Sequence, residues 1–105
     1  MKFSQHNQPD RTVLAVEGVL DALTAPEIRP TIDQLVIERR TPIEVDLTAL
    51  RLIDSSGVAV VVSLYKRCRA FGGTVRVVGL GNQPLAIFKL LRLDRVFDLN
   101  AMPGQ

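Results

Sequence analysis

The sequence predicts a single α/β domain, with a mixed sheet of four or five strands and helices packed mainly on one face. The chain has 105 residues, the size of one compact domain. Hydrophobic residues make up 47% of it and charged residues 23%, the composition of a globular protein with a core. Segments of strand and helix periodicity follow one another in the order β-β-α-β-α-β-α-β, which implies right-handed crossovers between parallel strands.

A hairpin is predicted at the start of the chain. Residues 3–7 alternate loosely and predict a weak edge strand, and Pro9 and Asp10 mark the turn that follows. Residues 12–17 are a run of β-favouring side chains that ends at Gly18. These two strands are therefore expected to pair.

A first helix is predicted after Thr24. Thr24 and Glu27 have the spacing of a capping box, in which the threonine oxygen accepts the backbone N–H of Glu27. Pro30 cannot donate an i→i−4 hydrogen bond, so either the first turn is kinked or the helix proper begins at Pro30. The apolar residues that share one face of this helix are Ile28, Ile32, Leu35 and Val36.

A strand and a second helix are predicted in the middle of the chain. Residues 43–47 alternate strictly, as a strand with one buried face does. Residues 58–71 follow helical spacing up to Gly72 and Gly73, although the three valines at 60–62 favour a strand by propensity alone. The apolar stripe of this helix contains Val58, Val61, Leu64, Tyr65, Cys68 and Phe71, with Lys66, Arg67 and Arg69 off it.

The last part of the chain predicts a strand, a helix and a short final strand. Residues 74–80 are the strand, closed by glycines. Asn82 is the expected N-cap of the helix, with Pro84 in its first turn. Residues 96–99 are expected to add a short strand, and residues 100–105 to form a disordered tail.

The turn Asp54-Ser55-Ser56-Gly57 is the most conspicuous polar element of the sequence. Asp54, Ser55 and Ser56 can each cap the helix that follows, and on residue types alone a simple cap is the more common role. A helix N-terminus also presents free N–H groups and a partial positive charge, so it tolerates a phosphate. A serine here can therefore carry a regulatory dianion, and residue order alone does not choose between cap and switch.

Several elements together resemble a STAS domain and, more narrowly, the bacterial anti-sigma factor antagonists. These elements are Gly18-Val19-Leu20-Asp21-Ala22-Leu23-Thr24-Ala25, Val45-Asp46-Leu47, Ile53-Asp54-Ser55-Ser56-Gly57-Val58-Ala59 and the strand after Gly72-Gly73. The resemblance runs from about residue 12 to residue 99. It implies one STAS domain over residues 1–99, followed by the tail at 100–105.

The resemblance also implies a mechanism. In the family, the serine directly before the glycine is phosphorylated by a partner that is both an anti-sigma factor and a serine kinase, and by position this is Ser56. The unphosphorylated protein binds the kinase and frees the sigma factor, phosphorylation releases the complex, and a separate serine phosphatase resets the cycle. Positions implied to contact the partner are Asp21, Thr24, Asp54, Ser55 and Gly57. The resemblance implies no cofactor, no metal and no catalysis by this chain itself.

Several residues of the loop before the first helix have two possible roles, and a few positions depart from the family pattern. Asp21 either contacts the partner or caps its own loop. Val19, Leu20 and Leu23, in the same loop, are either a small partner-binding patch or residues that turn into the core. The departures from the family pattern are Pro30, Arg92-Leu93 in place of Gly-Leu, and a chain that ends soon after Leu99.

Other functions are weighed against the switch. A STAS accessory subunit that regulates a transporter, such as a lipid-exporting ABC system, and a scaffold member of a signalling assembly both remain open. A Ser-His-Asp hydrolase is not indicated, because His6 is far in sequence from any acid–serine pair and no Gly-x-Ser-x-Gly elbow exists. One histidine and one cysteine do not make a transition-metal site.

Composition and charge narrow the partners and the compartment. A net charge of +2 and an aromatic content of 5% do not indicate direct nucleic-acid binding. No stretch approaches the roughly 20 apolar residues that span a bilayer, and residues 1–10 do not form a signal peptide. Cys68, the single cysteine, fits a reducing compartment and is expected to be a buried structural thiol. We therefore expect a cytoplasmic protein without membrane insertion, as a monomer or a weak dimer.

Overall fold

The computed structural model describes residues 1–104 and confirms the α/β class, with a five-stranded mixed sheet and three α-helices in that range. The strands are β1 (Lys2–Asn7), β2 (Thr12–Leu20), β3 (Ile43–Asp46), β4 (Leu50–Ile53) and β5 (Val75–Val78). The helices are α1 (Ala25–Ile37), α2 (Ser55–Arg69) and α3 (Asn82–Leu90), and a short 3₁₀ turn covers Leu93–Arg95. None of the helices in the described range is long and apolar enough to cross a membrane.

The sheet is organised around β2. Strand β1 pairs with β2 antiparallel at one edge, as the predicted hairpin requires. On the path β1-β2-β3-β5 the remaining pairs are parallel. Strand β4 lies off this path and pairs in parallel with the last residues of β2. The carboxyl ends of β2 and β4 therefore meet at one end of the sheet, where the loop after β2 and the turn after β4 begin.

The helices pack mainly on one face of the sheet. On β2 the buried Leu14 and Val16 alternate with the half-buried Val13 and Ala15, so one face of the strand is the more apolar. Helices α1 and α2 cover that face side by side. The buried side chains between the sheet and these two helices include Leu14, Val16, Leu20, Ile28, Ile32, Val45, Val60, Val61 and Leu64.

Two strand predictions were wrong at the ends of the sheet. Strand β2 does not stop at Gly18: that glycine takes φ +88°, the register shifts there, and the strand continues to Leu20 beside β4. Strand β4 itself was not predicted. Residues 96–99 form no strand, because the N–H of Phe97 bonds the carbonyl of Leu93 in a local turn at 2.9 Å.

Two apolar residues of that turn, Phe97 and Leu99, are buried, whereas Val96 is exposed. The Phe97 ring packs edge-on against Tyr65 of α2, with 5.3 Å between centroids, and lies 6.3 Å from the ring of Phe88 in α3. Phe97 therefore packs into the core from a turn and not from the predicted strand.

The helix ends correct two expectations, at Thr24 and Asn82, and decide where the first helix begins. Thr24 is the N-cap residue of α1, but its side chain makes no cap bond, so the predicted capping box does not form. The helix begins at Ala25 and continues through Pro30, which excludes a start at that proline; one bond, to the carbonyl of Pro26, is missing. Asn82 lies inside α3 with φ +49°, and Gly81 is the N-cap.

The stretch predicted as a disordered tail has one buried residue, Ala101, and makes backbone hydrogen bonds to the rest of the domain. The Ala101 carbonyl accepts the N–H of Gly79 at 3.0 Å, and Ala101 is buried. Farther on, the N–H of Gly104 lies 3.4 Å from the carboxylate of Glu44, a buried side chain that also pairs with Arg11 at 3.4 Å. The boundary of the domain at residue 99 and the tail at 100–105 stay predictions, and the last residue, Gln105, lies outside the described range.

Candidate functional site

The turn after β4 is built on Asp54, which is the N-cap of α2. Its backbone is extended (φ −113°), and its Oδ1 accepts the N–H of Gly57 at 3.0 Å. Its backbone carbonyl accepts the N–H of Val58, also at 3.0 Å. Of the three candidate caps, Asp54, Ser55 and Ser56, the N-cap of α2 is therefore Asp54. Ser55 and Ser56 occupy the first two helical positions, where Ser55 is exposed and Ser56 half-buried.

Gly57 fits this turn because no side chain can. A Cβ atom at this position would lie 2.5 Å from the carbonyl oxygen of Leu20, 2.7 Å from Cγ1 of Ile53 and 2.9 Å from Cγ of Leu20. The residue is buried. Because Gly57 has no side chain, the first turn of α2 packs directly against the end of β2. This contact fixes the position of Ser55 and Ser56.

Asp54 also joins the turn to the loop after β2. Its second carboxylate oxygen, Oδ2, accepts the N–H of Ala22 at 3.2 Å, and its own N–H donates to the Leu20 carbonyl at 3.3 Å. One carboxylate thus holds two backbone segments that are more than thirty residues apart in the chain. The structure brings the two elements that the sequence singled out into one surface.

The loop after β2 is held by its own side chains. Asp21 Oδ1 accepts the N–H groups of Leu23 at 3.0 Å and Thr24 at 3.1 Å. The Thr24 hydroxyl donates to the Val19 carbonyl at 2.9 Å and accepts the N–H of Asp21 at 2.9 Å. Asp21 therefore caps its loop, the second of the two roles considered for it, and the Thr24 hydroxyl is engaged inside the loop rather than at the helix end.

Gln83 is a residue of this site that the sequence did not indicate. Its side-chain amide forms two hydrogen bonds of 2.9 Å with Ile53: Oε1 accepts the N–H, and Nε2 donates to the carbonyl. The amide therefore satisfies both backbone groups of Ile53, as a neighbouring strand would. Ile53 is the last residue of β4 and directly precedes Asp54. No local signal exists for this contact, because the two residues are 30 positions apart.

The other singled-out residues lie away from the turn. His6 pairs with Val13 near the beginning of β2, whereas Asp54 contacts Leu20 at its end, more than about 20 Å along the strand. Cys68 is fully buried in α2, as predicted. The pKa of its thiol is raised because burial disfavours the thiolate, an effect that the charge of Arg67 opposes only in part. No group of three potential metal-ligating side chains occurs within residues 1–104.

Comparison with known proteins identifies related domains. A family model described as "Mlab, STAS domain" matches residues 3–101. The chain is 24% identical over 96 residues to the anti-sigma-B factor antagonist of Listeria monocytogenes, covering 91% of this chain and 84% of that protein. It is also 24% identical over 86 residues to the anti-sigma-B factor antagonist of Bacillus subtilis, covering 82% and 78% respectively.

Solved structures agree with this fold. An anti-sigma factor antagonist from Mycobacterium paratuberculosis superposes with a TM-score of 0.86 at 22% identity, covering 98% of this chain and 86% of that one. The Bacillus cell fate determinant SpoIIAA in its phosphorylated form superposes with a TM-score of 0.73 at 20% identity, covering 91% and 88%. The fold predicted from the sequence is therefore confirmed.

Proposed function

We propose, since the chain belongs to the STAS domain family, that it is an anti-sigma factor antagonist that acts by partner switching. In its unphosphorylated form it binds an anti-sigma factor that is also a serine kinase, and so frees the sigma factor. The kinase phosphorylates Ser56, the phosphorylated chain dissociates, and a separate serine phosphatase restores the binding form. The names of the curated relatives support the antagonist role.

The observation that carries the proposal is the division of roles within the turn. Asp54 satisfies the N–H groups of Gly57 and Val58, so the integrity of the helix end does not depend on a serine hydroxyl. Ser56 stands one residue before the buried Gly57 and is half-buried at the surface. A phosphate there adds about −1.5 to −2 charges at pH 7 beside the Asp54 carboxylate. The positive end of the α2 dipole offsets part of that charge, so the fold tolerates the modification while the surface changes.

In this proposal the chain is a substrate and not an enzyme. A serine nucleophile needs a neighbouring base, and the imidazole of His6 is at the opposite end of β2. The chain supplies a hydroxyl on a rigid turn, and the partner kinase supplies the nucleotide and the base. The other site residues then position the turn: Asp54, Asp21 and Thr24 through the hydrogen bonds described above, and Gly57 by its close packing. Their direct contact with the partner, like that of Ser55, remains part of the proposal.

The proposed setting is the cytoplasm, where the kinase, its ATP and the sigma factor meet. The chain works there as a monomer or a weak dimer and binds neither DNA nor a membrane. Its effect on transcription is indirect, through competition for the anti-sigma factor.

Phosphate mapping tests the proposal. The purified chain is incubated with the serine-kinase anti-sigma factor encoded by the same genome and with ATP, and the product is digested and sequenced by mass spectrometry. We expect one phosphate, on Ser56, which Ser56→Ala abolishes. Ser55→Ala is the matched control and retains the phosphate, because Ser55 is the more exposed of the two serines but is not the proposed acceptor. A phosphate on Ser55, or none on the wild-type chain, contradicts the proposal.

The transporter role considered from the sequence is distinguished by the same variants. An accessory subunit that does not use the serine keeps full activity as Ser56→Ala and co-purifies with a membrane permease. Both results together would favour the accessory role over partner switching.

A further inference from the structure

We propose that Leu23 is the apolar anchor with which this chain docks on its partner kinase, an inference that rests on the proposed function. Leu23 is 87% exposed, although a leucine of its size is favoured in a core. Its loop neighbour Leu20 is fully buried in the core. The structure thus separates the apolar residues of this loop: Leu20 turns inward, and Leu23 is left on the surface.

The side chain of Leu23 projects from a rigid support. Its N–H donates to Asp21 Oδ1 at 3.0 Å, and the same oxygen accepts the N–H of Thr24. The next N–H, of Ala25, donates to the Asp21 carbonyl at 2.8 Å and starts α1. Binding through such a loop requires little further ordering of the backbone, so most of the free energy of burying the leucine is available for affinity.

Leu23 is connected to the phosphorylation site through one side chain. The residue before it, Ala22, donates its N–H to Asp54 Oδ2 at 3.2 Å, while Asp54 Oδ1 holds Gly57. Leu23 and Ser56 are therefore on the same end of the molecule, on segments that share a carboxylate. A partner that places its phosphate donor at Ser56 must cover this end as well.

The chemistry of the surroundings defines the partner surface. The carboxylates nearest the anchor are engaged within the chain: Asp21 Oδ1 by two N–H groups and both oxygens of Asp54 by one each. The anchor is flanked by Ala22 and by the exposed Pro26 at the start of α1. The matching surface for the leucine is therefore an apolar pocket beside the phosphate-transfer cleft of the kinase.

This arrangement also gives a physical reason for release. A serine hydroxyl at the rim of an apolar contact loses little when water is excluded, because a neutral hydroxyl is desolvated at modest cost. A phosphate dianion at the same rim must lose strongly bound water, and it lies close to the negative charge of Asp54. Phosphorylation of Ser56 then opposes the burial of Leu23, and the complex opens.

Substitution of Leu23 tests the inference with a matched control. Leu23→Ala is compared with Ile37→Ala, since Ile37 is 71% exposed but ends α1, which is 13 residues and about 20 Å long. The dissociation constant for the kinase in the presence of a non-hydrolysable ATP analogue is measured by calorimetry. We expect Leu23→Ala to weaken binding about tenfold or more, and Ile37→Ala to leave it unchanged.

Phosphorylation kinetics separate docking from chemistry. With Leu23→Ala the KM for phosphorylation of Ser56 rises by a similar factor while kcat stays near the wild-type value, because the leucine contributes equally before and in the transition state. Unchanged affinity and KM for Leu23→Ala, with normal phosphorylation of Ser56, would overturn the inference and leave the proposed function standing. Failure of the wild-type chain to bind the kinase would overturn both.

Discussion

Replacing Gly57 by alanine perturbs the turn at the place where the structure is least able to adjust. The added Cβ would lie 2.5 Å from the Leu20 carbonyl oxygen, closer than such atoms approach in real proteins. That oxygen belongs to the backbone of β2, which the neighbouring strand β4 holds in place. Rotation of a side chain cannot relieve this contact, so α2 has to move away from the sheet.

The magnitude follows from two opposing effects. Overpacking of a well-filled core costs about 1–3 kcal/mol. Alanine is favoured over glycine within a helix by about 1 kcal/mol, which offsets part of that loss. Because the nearest atom is backbone and two further atoms lie within 3 Å, we take the upper half of the overpacking range. The free energy of unfolding should fall by about 1–2 kcal/mol.

Urea unfolding followed by circular dichroism measures this change. Gly81→Ala is the control for packing, because no heavy atom lies within 4 Å of a Cβ at that position. Gly81 is the N-cap of α3, where alanine is less favourable than glycine, so we expect a loss of at most about 0.5–1 kcal/mol. Because Ser56 moves with the first turn of α2, the Gly57 variant should also be a poorer kinase substrate at temperatures where it is folded. A Gly57→Ala protein as stable as the wild type, or stabilised by the helix preference of alanine, would refute the packing argument.

Three further predictions concern residues around the turn and in the core. Thr24→Val removes the hydroxyl that serves Val19 and Asp21, so the free energy of unfolding in urea should fall by about 1–2 kcal/mol, and Thr24→Ser should restore most of it. Gln83→Ala leaves the N–H and carbonyl of Ile53 without their partner amide; we expect a loss of about 1–3 kcal/mol in the same assay, together with slower phosphorylation of Ser56. Cys68 should resist alkylation at pH 8 in the folded protein and react on unfolding, because burial raises the pKa of its thiol. Its contribution to stability is complete below the unfolded pKa and is lost as the pH rises through the folded one.

The elements that the sequence predicted well are those whose signals are local. The stripe from Val58 to Cys68 recurs at helical spacing and outweighs the β propensity of its valines, because only the helix buries all of them on one side. For the N-cap of the same helix, the sequence left three candidates: Asp54, Ser55 and Ser56. Choosing Asp54 required the extended backbone and the bond to Gly57, which residue types do not specify.

The elements that the sequence missed depend on distant partners. Strand β4 has four residues, and its pairing residues on β2 lie more than thirty positions earlier, so its short apolar pattern had no local support. Thr24 had the spacing of a capping box, but its hydroxyl found the carbonyl of Val19 instead. Gln83 reaches Ile53 only after α3 has packed beside β4. Each of these features depends on a tertiary contact that no local pattern specifies.

The affinity of the chain for its kinase before and after phosphorylation of Ser56 is the decisive measurement for partner switching. The chain is phosphorylated by the kinase, repurified, and titrated into fresh kinase by calorimetry beside the unmodified protein. We predict tight binding of the unmodified chain and binding at least about tenfold weaker after phosphorylation, a difference of about 1.4 kcal/mol or more. Equal affinity of the two forms would contradict the account.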